Sequence, residues 1–210
     1  MITPTKSFWE IFKATNGALS CAEAVAIMNL AAQAPVGIYV EFGTHKGKSA
    51  MALSVGLKDG KFYLLEPEVA ELGIEYVDKI EKYRDPQKFI INPSSWDSAG
   101  WLNCFTDEMF SYVFVDSGSH QDGLPMQEVK LLEDRIVQGG IIAFHDWNSQ
   151  FKEVIEASDY LVGTGKYEYI PINWDEIISY VNENNLEEGN ISWHHTELKN
   201  PCFVGAVKRK

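Results

Sequence analysis

Cysteine is scarce in this chain: Cys21, Cys104 and Cys202 are the only three in 210 residues. An odd, scattered set without metal-ligand spacing argues against a disulfide framework or a zinc cluster and fits buried, reduced thiols. No apolar run reaches the roughly 20 residues that a membrane-spanning helix needs. The first residues carry Lys6, Glu10 and Lys13 among aromatics where a secretion signal would have an apolar stretch and a small-residue cleavage site. Basic charge is also short. Eighteen Lys and Arg stand against 30 Asp and Glu, a formal net charge of −12, and a protein that grips nucleic acid by its phosphates needs a basic face. The tail Lys208-Arg209-Lys210 reads as a solvated terminus. There are no internal repeats and no low-complexity tract. These absences lead to the expectation of one compact cytoplasmic domain with a sizeable core, no nucleic-acid partner and no membrane partner.

Alternation organises what is present. Helical patterns at Phe8 to Ala14 and Ser20 to Ala34 form an N-terminal helical extension, residues 1–34, and Pro35 and Gly37 mark its end. From residue 35 to 210 apolar strands alternate with amphipathic helices. Strands are expected at Gly37 to Phe42, Lys61 to Glu66, Lys88 to Asn92, Ser111 to Asp116, Gly139 to His145, Tyr167 to Ile172 and Phe203 to Val207. A helix is expected at Met126 to Val137, where Val129, Leu132 and Ile136 share one face. Continuous apolar strands interleaved with helices specify an α/β fold with a mostly parallel sheet covered on both faces. Phe8, Trp9, Ile11 and Phe12 are apolar enough to need cover, from the domain's own core or from a second copy in a homodimer.

The segment Ile38-Tyr39-Val40-Glu41-Phe42-Gly43-Thr44-His45-Lys46-Gly47-Lys48-Ser49 carries the chemistry. Its Gly-Lys-Ser ending suggests a phosphate-binding loop, but such a loop has four residues between its glycines and here there are three. A dinucleotide site lays pyrophosphate on the helix N-terminus, and Glu41 would repel it. A sulfonium cofactor with a free amino group turns the same carboxylate into an attraction. Gly43 and Gly47 then allow close approach of backbone to ligand and of helix to sheet. A plain tight strand-to-helix turn is the blander alternative. Glu66, at the end of the second apolar strand, lies roughly 20 residues past the glycines, where a carboxylate can bind both ribose hydroxyls.

Together with Val115-Asp116-Ser117-Gly118-Ser119-His120 and Gly139-Gly140-Ile141-Ile142-Ala143-Phe144-His145-Asp146, these motifs resemble the class I S-adenosylmethionine-dependent methyltransferases, nearest to the small-molecule O-methyltransferase branch. The resemblance runs from Val36 to Trp147, with Ser117 standing where the family commonly has Asp before Gly. It implies a Rossmann-like seven-stranded sheet with an antiparallel last strand. It also implies a cofactor site at Glu41, Gly43, Thr44, Gly47, Lys48, Ser49, Glu66, Ser95, Trp96 and Asp116, with Trp96 either stacked on the purine or packed in the core.

In that topology Asp116 and Asp146 end neighbouring strands, about 5 Å apart, and can share one ion or one proton. Two roles stay open. Mg²⁺ or another divalent cation on Asp116, Asp146 and Asn148 would acidify an acceptor hydroxyl, although Trp147 interrupts the family's Asp-Asn pair. Alternatively His120 or His145 acts as general base, oriented by an aspartate. The blander readings are a helix cap for Asp146 and a core histidine for His145. The polar stretch 173–200 reads as a lid-like insertion without a clean helix, and Trp174, Asp175, Trp193, His194 and His195 are candidates to line it. The expected activity is methyl transfer to a hydroxyl oxygen of a small molecule. The rivals are a non-catalytic cofactor-binding module and an NAD-using enzyme.

Overall fold

The computed structural model describes residues 1–17, 19–67, 78, 80, 84–85, 87–104, 107–118, 122–148, 150–186 and 204–210. Seven strands form one sheet in the order β3-β2-β1-β4-β5-β7-β6. They are β1 (Gly37–Phe42), β2 (Gly60–Leu65), β3 (Phe89–Ser94), β4 (Phe110–Val115), β5 (Ile136–Phe144), β6 (Tyr167–Tyr169) and β7 (Gly205–Arg209). Only β7 runs against the rest, pairing antiparallel with both β5 and β6. The strand order reverses between β1 and β4, and in open α/β sheets ligands bind beyond the carboxyl ends of the strands at such a crevice.

Alternation along each central strand feeds two cores. Tyr39, Tyr112, Phe114, Ile141 and Ala143 face α1 (Lys6–Ala14), α2 (Cys21–Gln33) and α3 (Lys48–Gly56). Val40, Phe42, Val113, Val115, Ile142 and Phe144 face α4 (Ser98–Cys104), α5 (Leu124–Leu132) and α6 (Lys152–Gly163). No helix among the described residues is long and apolar enough to cross a membrane.

The N-terminal helices belong to the first of these cores. Thr5 caps α1 and a reciprocal Ser20–Glu23 capping box opens α2. Phe8, Trp9 and Phe12 are buried against one another, with ring centroids 5.2–5.8 Å apart. Those rings are covered by the domain's own core.

Three sequence expectations need correction. The helix expected at Met126 to Val137 starts two residues earlier, behind the left-handed Gly123 and with Pro125 in its first turn, and stops at Leu132. Ile136 and Val137 belong to β5 instead, because the Phe110 N–H bonds to the Arg135 carbonyl and starts the ladder there. The register then jumps from Phe110↔Ile136 to Tyr112↔Ile141, and Gly139 takes a φ of 75° inside the irregularity. The sixth strand is three residues long rather than six.

Last, the stretch after it is not irregular throughout. Asn173 caps α7 (Trp174–Glu183), whose Ile177 and Val181 bury against α2, while residues 187–200, including Trp193, His194 and His195, lie outside the described residues.

Candidate active site

At the crevice between β1 and β4 lies a cleft of about 320 Å³, within the size range of small-molecule sites. The loop after β1 forms one wall through Gly43, Thr44, His45, Lys46, Lys48 and Ser49. Asp116 and Gly118 after β4 and His145 and Asp146 after β5 form another. Asn16, Gly17, Leu19 and Phe151 close it. The turn between α1 and α2 was not anticipated as part of the site, and nothing in its composition marks it. It reaches the cleft because α1 and α2 pack beside α3.

Glu41 is fully buried on the α2/α3 face of β1, and the Thr44 hydroxyl donates to its Oε2 at 3.0 Å. Burial raises its carboxyl pKa to about 8; hydrogen bonds from Ser49 and Thr44 oppose the shift, and the charges of Asp116 and Glu66 add to it. A carboxyl raised in this way adds stability that is complete below its unfolded value near 4.5 and is lost as pH rises through about 8. Glu41→Gln removes that loss. The variant is expected to melt above the wild type beyond pH 8, by an amount corresponding to about 3–5 kcal/mol at full ionisation, and below it or level with it near pH 5. Thermal melts across pH 5–9 check this.

Glu66 is almost fully buried at the end of β2, and its Oε2 accepts the His45 N–H at 2.6 Å, tying the glycine loop to the second strand. His45 itself sits at a φ of 46°, an unusual conformation for a residue with a side chain. Gly47, at a φ of 75°, is the cap of α3. Lys48 is buried with its Nζ 4.7 Å from the Phe12 ring centroid. Burial pushes its ammonium pKa down, opposed by Cys21 and Glu23. Ser95 and Trp96 do not line the cleft. Trp96 is half exposed, which rules out the core reading. Ser117, where the resembled family has Asp, donates its hydroxyl to the buried Glu128, as does Ser98, so one carboxylate ties α4, α5 and the loop after β4 together.

The acidic end of the cleft is built around His145. Its Nδ1 is 3.1 Å from Asp116 Oδ1 and 3.5 Å from Asp146 Oδ2, and its Nε2 faces Glu23 Oε1 at 3.6 Å. Burial alone would lower the imidazole pKa, but Asp116 chiefly, with Asp146 and Glu23, outweighs it and holds the pKa well above the ordinary value. A buried imidazolium therefore bridges the carboxylates, so the bland reading of His145 as a backbone-bonded core residue fails.

Asp146 takes a φ of 53°. The reason is Trp147, whose indole N–H donates to Ser158 at 2.9 Å and whose ring packs where a side chain on Gly205 would stand. That anchor pulls the next residue away from the cleft, and Asn148 Oδ1 accepts the Gln150 N–H instead of lining it. Among the described residues one ligand atom each from Asp116, His145 and Asp146 lies within 4.8 Å of the others, and Asn148 does not line the cleft. His120 lies outside the described residues.

Residues 40–147 match the model of a family described as a methyltransferase domain. Among curated proteins no match was found. The O-methyltransferase TomG from Streptomyces achromogenes, involved in tomaymycin synthesis and solved in complex with SAM, superposes with a TM-score of 0.62 at 14% identity, covering 100% of this chain and 92% of that one. The O-methyltransferase from Bacillus cereus in complex with SAH gives 0.63 at 11% identity, with 99% and 92% covered. An rRNA methylase from Streptococcus thermophilus gives 0.56 at 14%, with 92% and 99% covered.

Proposed function

We propose, from the premise that this chain belongs to the methyltransferase-domain family, that its cleft binds S-adenosylmethionine and transfers the methyl group to a hydroxyl oxygen of a small molecule. One observation carries the reading: the carboxylates of Glu66, Asp116 and Asp146 stand at the ends of β2, β4 and β5 around the crevice, with the Glu41 carboxyl buried on β1 and ready to ionise beside a cation. Such a set attracts a sulfonium and an ammonium and repels pyrophosphate, which sets NAD and nucleoside triphosphates aside. Two of the neighbours named above are O-methyltransferases solved with SAM or SAH, which is consistent with this choice. The acidic net charge of −12 speaks against an RNA acceptor.

The chemistry asks little of the protein. The acceptor oxygen attacks the methyl carbon, the carbon–sulfur bond breaks with its electron pair going to sulfur, and a neutral thioether leaves. Alignment of oxygen with carbon is the larger part of the work, and the acceptor proton must go to a base. Asp116 and Asp146 stand in the cleft to take it, with His145 Nδ1 3.1 Å and 3.5 Å from their carboxylates. A divalent cation would be the alternative use of the same group, held by Asp116 and Asp146 and joined by His145 only once its Nδ1 had given up its proton, and when bound it would acidify the acceptor hydroxyl. Non-catalytic binding is the weaker reading, because the two aspartates face the cleft and are not turned into the core.

Calorimetry with S-adenosylmethionine, its demethylated product, NAD and ATP tests the cofactor. The first two are expected to bind and the last two not, and a preference for NAD would overturn the reading. Glu66→Ala is expected to weaken S-adenosylmethionine binding by about 10–100-fold, the worth of a charged hydrogen-bond pair, and unchanged affinity would count against its place at the ribose. Binding of a cation beside Glu41 is further expected to release a proton near pH 7, read as a dependence of the binding enthalpy on buffer ionisation enthalpy.

A further inference from the structure

Glu23 belongs to α2, a helix that the methyl-transfer chemistry does not otherwise use, yet its carboxylate is fully buried beneath the cleft. Its two oxygens do different things. Oε2 accepts the Ser20 N–H at 2.8 Å and closes the capping box, while Oε1 faces His145 Nε2 at 3.6 Å. A capping role alone is filled by an exposed residue at no cost in desolvation. Burying this carboxylate is expensive unless a positive or hydrogen-bonding group faces it. One group that faces it, at Oε1, is the side of the imidazole turned away from the reaction, and no hydrogen bond within the described residues is made by His145 Nε2.

We infer that Glu23 is a positioning residue for the transfer: through Nε2–H it holds the His145 ring in the plane that points Nδ1 at Asp116 and Asp146. The ring has two faces to satisfy, and its orientation is set by whichever side is anchored. Phe114, 6.2 Å away between ring centroids, packs against it without supplying a polar partner. The remaining anchor is a rigid one, because the capping box fixes the Glu23 side chain at the first turn of a buried helix. A shift of a few tenths of an ångström closes the 3.6 Å separation to a hydrogen bond, a tightening common when substrates fill such sites.

This inference rests on the reading of Asp116 and Asp146 as proton acceptors, and its test has one arm that does not. Glu23→Gln keeps the capping box, since Gln serves there as well as Glu. Its carbonyl must then take the Ser20 N–H, which turns the amide N–H₂ toward Nε2, donor against donor. Nitrogen-15 NMR of the His145 ring is expected to show the Nε2–H resonance of the wild type lost in Glu23→Gln and kept in Ser20→Ala, which weakens the cap but leaves the Glu23 carboxylate. In methyl-transfer assays Glu23→Gln is expected to lower kcat about 10–100-fold with the KM for S-adenosylmethionine within about 3-fold, while Ser20→Ala lowers Tm and leaves kcat in place. An unchanged His145 resonance in Glu23→Gln overturns the inference, and so does an equal loss of kcat in Ser20→Ala. A wild type that shows the resonance but transfers no methyl group overturns the functional reading and not the Glu23–His145 contact.

Discussion

Replacing His145 with Ala is expected to destabilise the protein by about 3–5 kcal/mol and to lower methyl transfer at least 100-fold. The first figure follows from what remains: Asp116, Asp146 and the fully buried Glu23 converge on the vacated space, and removing the positive group among them takes away the charge that offsets their mutual repulsion. The second is the scale at which a group that governs proton transfer contributes. Denaturant titration at pH 7 and initial-rate assays measure the two effects.

The pH dependence has a definite sign. The folded pKa of His145 lies above the unfolded value, so its stabilisation is complete below about pH 6.5 and disappears as pH rises through the folded value. The wild type should therefore lose its advantage over His145→Ala in the alkaline range, and an advantage that grows with pH there would contradict the charged bridge.

Gly43→Ala is expected to cost about 3–5 kcal/mol and to abolish S-adenosylmethionine binding. Gly43 has a φ of 80°, a conformation an L side chain resists, and a Cβ there would overlap the Asp116 carbonyl. Relief requires β1 and β4 to separate at their carboxyl ends. That would break the Asp116 N–H bond to the Phe42 carbonyl at 3.0 Å and press the loop toward β2, whose Leu65 carbonyl accepts the Gly43 N–H at 2.9 Å. These bonds hold the loop that carries Thr44 and Ser49 to Glu41. Gly47→Ala, also at positive φ but at a helix cap, should cost less, on the order of 1 kcal/mol. Comparing the two by thermal melt and calorimetry separates backbone strain from loss of the close approach.

The glycine between Phe42 and Thr44 was legible because its neighbours are. An apolar strand interrupted by an acid and followed by Gly-x-x-x-Gly leaves few other local structures, and β1 falls on Gly37–Phe42 as its composition predicts. Two neighbouring strand ends carrying aspartates were equally readable, since Val115-Asp116 and Phe144-His145-Asp146 follow uninterrupted apolar runs. The place of Asn148 was less so. Sequence proximity put it beside Asp146, but the Trp147 indole bonds to Ser158 and packs over Gly205, partners 11 and 58 positions further along that no local pattern displays. The helix at Trp174–Glu183 was missed although Trp174, Ile177, Tyr180 and Val181 form its packed side at helical spacing, because the polar residues that follow made the whole stretch read as a loop.

Local interactions decided what the chain alone could announce: strand, turn and helix cap are determined within a few residues, so the parallel sheet, the crevice at its carboxyl edge and the acids at the strand ends are written in the order of amino acids. Tertiary packing decided how those acids are used. Whether Glu41 is ionised, whether His145 carries a proton, and which carboxylate lies behind it depend on burial and on distances between α2, β4 and β5. Those electrostatic terms act through space between residues 29 to 122 positions apart, and only the folded chain brings them within 4 Å.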